Sequence, residues 1–407
     1  MTIDFGKRFG LGTLRLPLKD PADQKSIDYD QFCEMIDKFL DHGFRYFDTS
    51  YIYHDNTSEI ALRECLVKRY PRDAFLLSDK LPIKFMDVKF LKAREDMERM
   101  LQHQLDKCGV DYFDFYLIHS ITSQGYKECN EWGAFEFLSE ARAAGKFREF
   151  GVSLHDTPEF LDQILTEHPE IDFVVLQINY LDWESPTIRS RELYETALKH
   201  GKPVVAMEVC KGGMLAEVPD EAKALMKAYN PDASIASWAY RFTASLPNVR
   251  VVLTSTPKME FMDDNIETME NFEPLNDEEY EILHKVVEIV NASIAIPCTE
   301  CRYCEQGCPK NIDIPDYFGL YNDLKALTKS SYFNPVRTQQ INYANYVEAG
   351  RGSASECIGC KKCEKVCPQG LPIVDYLEDV VREFEEWTPA DEGIGSDAAG
   401  FSSVVDA

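Results

Sequence analysis

Short apolar runs recur through the first two thirds of the chain, separated by stretches in which apolar residues return every three or four positions. The runs are FGLGTLRL (9–16), FRYFDTS (44–50), FLLSDKL (75–81), FDFYLIH (113–119), REFGVSL (148–154), FVVLQIN (173–179), PVVAME (203–208) and RVVLTS (250–255). Between them lie helix-period segments such as DYDQFCEMIDKFLDHG, VKFLKAREDMERMLQHQLDKCG and EFLDQILTEH. Strands that are almost continuously apolar are buried on both faces, as in a parallel sheet covered by helices. Eight strand–helix units in succession predict an α/β fold, a closed (β/α)8 TIM barrel. An open, doubly wound sheet is the runner-up. Against it, GLGTL lacks the third glycine and the following helix of a G-x-G-x-x-G turn.

The alternation stops near Glu270, and DEEYEILHKVVEIVN (277–291) reads as one amphipathic helix. Further helical patterns fall around 314–328, 339–349 and 379–387, the first two interrupted by proline. From Thr388 onward, small and acidic residues predict a tail without fixed structure. The expected parts are a barrel over 1–275, a connecting helix over 276–297, a mainly helical second domain over 298–387, and the tail over 388–407.

The second domain carries the most specific chemistry. Cys298, Cys301, Cys304 and Cys308 form C-x2-C-x2-C-x3-C-P, and Cys357, Cys360, Cys363 and Cys367 repeat it, with Pro309 and Pro368 behind. This is the spacing of bacterial two-cluster ferredoxins, in which each run lends its fourth cysteine to the other cluster. The expected ligand sets are Cys298, Cys301, Cys304 and Cys367 for one [4Fe-4S] cluster, and Cys357, Cys360, Cys363 and Cys308 for the other. Zinc needs paired C-x2-C units, and the third and fourth cysteines are surplus to it. The long spacer between the runs resembles helical two-cluster ferredoxin domains fused to large oxidoreductases.

Composition narrows the setting. The chain has 407 residues and thirteen cysteines. No apolar stretch is long enough to cross a membrane, the longest being of the order of 173–181. MTIDFGKRFG has no apolar signal core. Cysteines in such a chain predict a reducing cytoplasm and metal ligation, not disulfides. Cys33, Cys65, Cys108, Cys129 and Cys210 lie outside the runs and are expected as buried free thiols. A formal net charge of −27 repels nucleic acid and anionic membrane surfaces.

Polar residues interrupt the apolar runs at their C-terminal ends, where a barrel of this kind does chemistry. Asp48 follows FRYF, Lys80 follows FLLSD, His119 follows FDFYLI, and Tyr53 lies just past the second strand. Singly, each has an ordinary reading: a turn cap, a surface lysine, a core histidine, a packed aromatic. Together they outline a proton-donating pocket. Trp132, Trp183 and Tyr180 fit an aromatic mouth or core packing equally well.

The motifs GLGTLRLP, FDTSYIY, SDK and DYFDFYLIH, in this order, resemble the aldo-keto reductase family over residues 7–270. The resemblance implies Tyr53 as general acid, Lys80 as the charge that lowers the tyrosine pKa, Asp48 as partner of Lys80, and His119 as the group that orients a carbonyl. A free tyrosine titrates at about 10, and an adjacent ammonium moves that value down. For an NADP(H) or NAD(H) cofactor, the resemblance implies Ser153 and Gln177 at the nicotinamide carboxamide, and Ser255, Thr256, Asp264 and Asn265 along the dinucleotide. The chain departs from the pattern at three places. Leu154 replaces an asparagine, with His155 taking over its hydrogen bond. Met207 stands where a tyrosine stacks on the nicotinamide. Phe261 replaces an arginine, with Lys258 as substitute. GKFREFGVS, MEVCKGG and the cysteine runs resemble the iron–sulfur branch of that family.

The implied function is an oxidoreductase that interconverts a small carbonyl compound and an alcohol with a nicotinamide. Two [4Fe-4S] clusters would couple it to a one-electron partner such as a ferredoxin. The alternatives are a reductase with structural or redox-sensing clusters, and a non-enzymatic electron carrier. No flavin fingerprint is present.

Overall fold

A computed structural model describes residues 6–20, 23–85, 88–89, 91, 93–186, 188–292, 295–296, 298, 302, 304–327, 336–367 and 370–386. The tail expected over 388–407 lies outside these residues, as do Cys301 and Pro368.

Ten strands are present among the described residues: β1 (Phe9–Gly12), β2 (Tyr46–Asp48), β3 (Leu76–Leu81), β4 (Lys84–Phe85), β5 (Val88–Lys89), β6 (Phe113–Ile121), β7 (Phe147–Leu154), β8 (Phe173–Gln177), β9 (Val204–Met207) and β10 (Val249–Thr254). Eight of them form a closed barrel in the order β1-β10-β9-β8-β7-β6-β3-β2, while β4 and β5 pair antiparallel outside it. All barrel pairings are parallel, and β1 closes the ring against β10 through Phe9↔Val252 and Leu11↔Thr254. The hairpin is the one pair of strands that the apolar runs did not announce.

Side chains along a strand alternate between two faces. In this barrel one face fills the inside: Tyr46, Leu76, Phe115, Leu117, Phe173, Val175, Val205 and Val251 pack there as a separate cluster. Gly151 leaves room for that filling, since a Cβ on it would lie 2.5 Å from the Phe173 ring. The opposite face packs against helices in the main core, which also takes in Leu283, Val286 and Val290 of the helix Asp277–Ala292.

A second core collects Tyr317, Phe318, Leu320, Tyr343, Leu377, Val380 and Phe384. They come from the helices Ile314–Leu327, Val336–Glu348 and Ile373–Phe384. Two ties join the segments that carry the cysteine runs. Ile312 bridges Gly352 in parallel. Asp316 accepts from Arg302, in the first run, at 2.5 Å and from Arg351, just before the second, at 2.7 Å.

Among the described residues, no helix is long and apolar enough to cross a membrane. Cys65, Cys108 and Cys129 are buried thiols as expected, whereas Cys33 and Cys210 are half-buried. Trp183 packs between Tyr194 and Phe242, and Tyr180 meets Phe242 edge-on; Tyr180 is part of the core, while Trp183 and Trp132 are half-buried against it.

Candidate active site and thiol sites

The interior alternation that fills the barrel also places its polar residues. Counting in steps of two from the buried apolar positions, Asp48 follows Tyr46, Lys80 follows Leu76, His119 follows Leu117, Gln177 follows Val175 and Met207 follows Val205. Each lies at the C-terminal end of its strand, on the inner face, where the barrel opens.

Lys80 Nζ donates to Asp48 Oδ1 at 2.5 Å and to the Thr49 carbonyl at 2.6 Å. The same ammonium lies 4.8 Å from the centre of the Tyr53 ring. Tyr53 stands edge-on to His119, ring centres 6.0 Å apart. Behind His119, Ser50 Oγ is 3.0 Å from Nδ1. Lys80 and Asp48 are buried, and Asp48 Oδ2 has no hydrogen-bond partner among the described residues. Tyr53 reaches its place through a tight left-handed turn: His54, Asp55 and Asn56 have φ of 49°, 47° and 66°. Non-glycine residues in this region are uncommon and are held there by their surroundings. His54 supplies that hold, with Nε2 accepting from Leu16 N at 3.0 Å and Nδ1 3.1 Å from the Gln24 carbonyl.

Burial and charge set the protonation of this group. Burial is the larger influence on Tyr53 and raises its pKa; Lys80 pulls it down and Asp48 pushes it up. The net direction is upward, opposite to the expectation from the lysine alone, because desolvation of the phenolate outweighs the ammonium. Lys80 itself is raised, since the attraction of Asp48 and Tyr53 exceeds the cost of burial. His119 is lowered well below its ordinary value by burial and by Lys80, so its imidazole is neutral.

The residues expected along a nicotinamide are spread around the same rim, each with an intramolecular contact. Ser153 Oγ accepts from Ser120 N at 2.7 Å. Gln177 Nε2 donates to Asp182 Oδ2 at 2.7 Å. Met207 is half-buried in register with Gln177, and His155 is half-buried just beyond β7, its pKa lowered by burial. Ser255 Oγ donates to the Gly12 carbonyl at 2.9 Å and accepts from Arg15 N at 2.8 Å. Thr256 Oγ1 donates to the Lys258 carbonyl, and Lys258 Nζ lies 5.5 Å over the Phe261 ring. Asp264 accepts from Ser234 at 2.7 Å, and Asn265 donates to Thr254 at 3.1 Å. Ser255, Thr256 and Lys258 thus sit in the turn after β10, with Asp264 and Asn265 on the helix that follows.

Sequence reasoning missed three parts of this rim. Ser50 was visible within FDTSYIY. Arg15, within GLGTLRLP, is an electrostatic neighbour of Tyr53 and Glu208, and burial lowers its pKa. The third is a buried ion-pair chain. Asp182, the acceptor of Gln177, also takes Lys211 Nζ at 2.5 Å, and Lys211 reaches Asp323 of the helix Ile314–Leu327 at 2.8 Å. Asn179 donates to the same Asp182 oxygen as Gln177, at 2.6 Å. No periodicity or motif signals a contact between residues so far apart in sequence.

Beside the second core, Cys308, Cys357, Cys360 and Cys363 line one hollow, open to solvent, with walls from Ile312, Ile314, Val374 and Leu377. The fourth cysteine of the first run is therefore brought to the first three of the second. Of the other expected set, Cys298, Cys304 and Cys367 are described and Cys301 lies outside the described residues. Burial pushes the Cys363 thiol up to about 11 and Cys304 up to about 12. Such thiols ionise at neutral pH when a cation stands beside them. Four convergent sulfur donors around one hollow, in apolar walls, fit a cubane cluster.

Gly352 matters to this convergence, because a Cβ on it would lie 1.9 Å from the Lys310 carbonyl oxygen, two residues past Cys308. Gly352→Ala is expected to spread the two runs, at a cost of about 1–3 kcal/mol. Iron retained after anaerobic reconstitution and the melting temperature should fall together. Unchanged iron content would mean that the bridge does not hold the runs in place.

Comparison with known proteins agrees with this layout. The profile of the aldo/keto reductase family matches residues 8–288, and that of the 4Fe-4S dicluster domain matches residues 297–373. An aldo-keto reductase of Mycolicibacterium paratuberculosis is 27% identical over 255 residues, covering 62% of this chain and 81% of that protein. The acetyl-CoA decarbonylase/synthase complex subunit alpha 1 of Methanosarcina acetivorans is 30% identical over 105 residues, 25% of this chain. The chain spans about a tenth of the length of that relative and of its Methanosarcina barkeri counterpart. An aldo-keto reductase structure from Klebsiella pneumoniae, in complex with NADPH, superposes with a TM-score of 0.53 at 20% identity, covering 69% of this chain and 90% of that one. That likeness concerns the barrel fold. With one family profile running from the first strand through the helix behind the barrel, and the other taking up the cysteine runs, the chain belongs to the aldo/keto reductase family and carries a 4Fe-4S domain behind its barrel.

Proposed function

We propose that the protein is a nicotinamide-dependent oxidoreductase that interconverts a small carbonyl compound and its alcohol, linked through two [4Fe-4S] clusters to a one-electron partner protein in a reducing cytoplasm. The barrel and its trailing helix form the catalytic part, and residues from 298 onward the electron-relay part. The observation that carries the reading is the contact of one buried ammonium, Lys80, with both Asp48 and Tyr53, beside a neutral His119.

When bound, the nicotinamide supplies a hydride to the carbonyl carbon and the clusters store electrons singly. The chain's own residues do the rest. Tyr53, a protonated phenol at neutral pH, donates its proton to the carbonyl oxygen. Lys80 stabilises the phenolate that remains, and Asp48 keeps Lys80 charged. His119 orients the carbonyl oxygen as a neutral hydrogen-bonding group. The Gln177 carbonyl oxygen and the Ser153 hydroxyl receive the carboxamide. Met207 and His155 would border the nicotinamide. Ser255, Thr256, Lys258, Asp264 and Asn265 hold the ribose and phosphate end. The NADPH in the Klebsiella pneumoniae structure supports this cofactor class. Cys298, Cys301, Cys304 and Cys367 hold one cluster, and Cys308, Cys357, Cys360 and Cys363 the other.

Anaerobically purified protein is expected to carry about eight irons per chain, to consume NADPH or NADH with a panel of aldehydes and ketones at one hydride per carbonyl, and to show bleaching of its iron–sulfur absorbance when the nicotinamide exceeds the carbonyl, each further hydride releasing a proton and giving its two electrons singly to the two clusters. Absence of nicotinamide consumption across the panel would remove the reductase assignment. Cluster spectra unchanged under excess nicotinamide would remove the coupling.

A further inference from the structure

The hollow that gathers Cys308, Cys357, Cys360 and Cys363 is not shielded from solvent. Cys360 is exposed, and so are its neighbours Ile358, at 61%, and Val366, at 49%. Exposed aliphatic side chains beside a polar rim mark interaction sites. The rim is basic. Lys310, Lys361 and Lys362 line the hollow and are exposed, and Lys365 is exposed on the short helix Lys362–Val366. Acids stand outside the lining: Glu356, 3.9 Å from Lys310, Glu364, 3.5 Å from Lys361 and half-buried, and Asp375 and Glu378, exposed on the helix that supplies Val374 and Leu377. Among the described residues, the lining itself holds three lysines, Lys310, Lys361 and Lys362, and no acid, in a chain whose formal net charge is −27. The start of the first cysteine run is tied to the helix that meets the barrel. Asn322 binds both backbone groups of Ile296, two residues before Cys298, at 2.7 and 2.8 Å, and the next residue, Asp323, is paired to the barrel through Lys211.

We propose that this basic rim, with Ile358 in its lining and Val366 on the short helix beside it, is the docking surface for a small acidic one-electron carrier protein of the ferredoxin type. Electrons pass between that carrier and the outer cluster at Cys360, and the run anchored to the barrel lies inward of it. The inference rests on the proposed participation of the clusters in turnover. An acidic protein repels an acidic carrier everywhere except at a patch of opposite sign, so the patch orients the encounter as well as attracting it. The aliphatic centre gives the short-range contact that excludes water once the lysines have steered the approach.

The test uses the reconstituted full chain and an acidic ferredoxin as probe. Affinity is measured by titration calorimetry at about 50 mM and about 500 mM salt, where screening lengths differ severalfold. A complex is expected at low salt that weakens sharply at high salt. The triple variant Lys361→Glu, Lys362→Glu, Lys365→Glu should raise its Kd by about tenfold or more, and Ile358→Asp should weaken it at both salts. If charge reversal costs the protein its iron, the Lys→Gln triple variant, which removes charge without adding acid, should weaken binding to an intermediate degree. An affinity indifferent to all of these variants, or no complex with either an acidic ferredoxin or an acidic flavodoxin, overturns the docking surface. Reduction of the clusters by a small redox dye, followed by nicotinamide exchange, tests the parent reading separately. Dye-driven exchange with a charge-insensitive ferredoxin complex sinks the surface alone, and a charge-sensitive complex without dye-driven exchange sinks the coupling alone.

Discussion

Lys80→Met is expected to slow carbonyl reduction by about 10²–10⁴-fold, the range that general acid–base catalysis contributes. The substitution removes the largest influence that lowers the Tyr53 pKa while leaving the burial that raises it. The phenol becomes a weaker acid, and the phenolate left by proton donation loses its counter-charge. Tyr53→Phe should cost a similar factor, and the double variant little more, because groups that act as a unit lose their effect once either is gone. Steady-state kcat/KM across pH is the measurement. His119 is neutral, its pKa lying well below 6.5, and Tyr53 lies above 10.0. Neither group gives a limb between those limits, so the profile for reduction should be flat there. A loss under tenfold in Lys80→Met would take the lysine out of the proton-transfer group. Because the substitution also strands Asp48 in a buried position, a circular dichroism melt of the variant must accompany the rates. Tyr53→Phe leaves that ion pair intact and serves as the second arm.

The largest effect on stability is expected from Lys211→Met. Lys211 and Asp182 are both 2% exposed, and the ammonium also holds Asp323. Removing the shared cation leaves two carboxylates facing each other in a dry setting, at a cost of about 3–5 kcal/mol. The cost should depend on pH with a definite sign. Asp323 is pushed up to about 6 from 3.8, by burial first and by Asp182, against the pull of Lys211. A carboxyl group whose pKa rises on folding binds its proton more tightly in the folded chain. Its contribution to stability is complete below the unfolded value and is lost as pH climbs through about 6. Without Lys211 the folded value climbs further and the loss moves to higher pH. The difference between variant and wild type in urea unfolding should therefore be smaller at pH 5.5 than at pH 8. Equal differences at both pH values would mean that the pair is not the origin of the loss.

Much of this molecule can be anticipated from residue order. The apolar runs mark the barrel strands, because a strand covered on both sides has no polar face to interrupt its pattern. The chemistry-bearing side chains at the strand ends follow from the same alternation. The cysteine spacing names its donors for a similar reason, since short fixed intervals constrain which thiols can converge. Three features escape such reading. The upward direction of Tyr53 depends on desolvation, which belongs to the folded surroundings and to no motif. The Gln177 amide is engaged by Asp182, which no spacing rule pairs with it. Lys211 and Asp323 meet across the two cores although more than a hundred positions separate them in the chain. The hairpin Lys84–Phe85 with Val88–Lys89 is too brief to leave a periodic trace.

The sharing of Cys308 between the two cysteine runs has a consequence for how the protein is made. Synthesis proceeds from the N-terminus, and N-terminal parts fold first. Every barrel strand has left the ribosome by Thr254, and Cys308 follows soon after, yet the other three thiols of its hollow arrive at Cys357, Cys360 and Cys363. Iron loading of that hollow is thereby postponed until Cys363 has been made, and a nascent chain halted earlier presents Cys308 as an orphaned thiol behind the barrel strands.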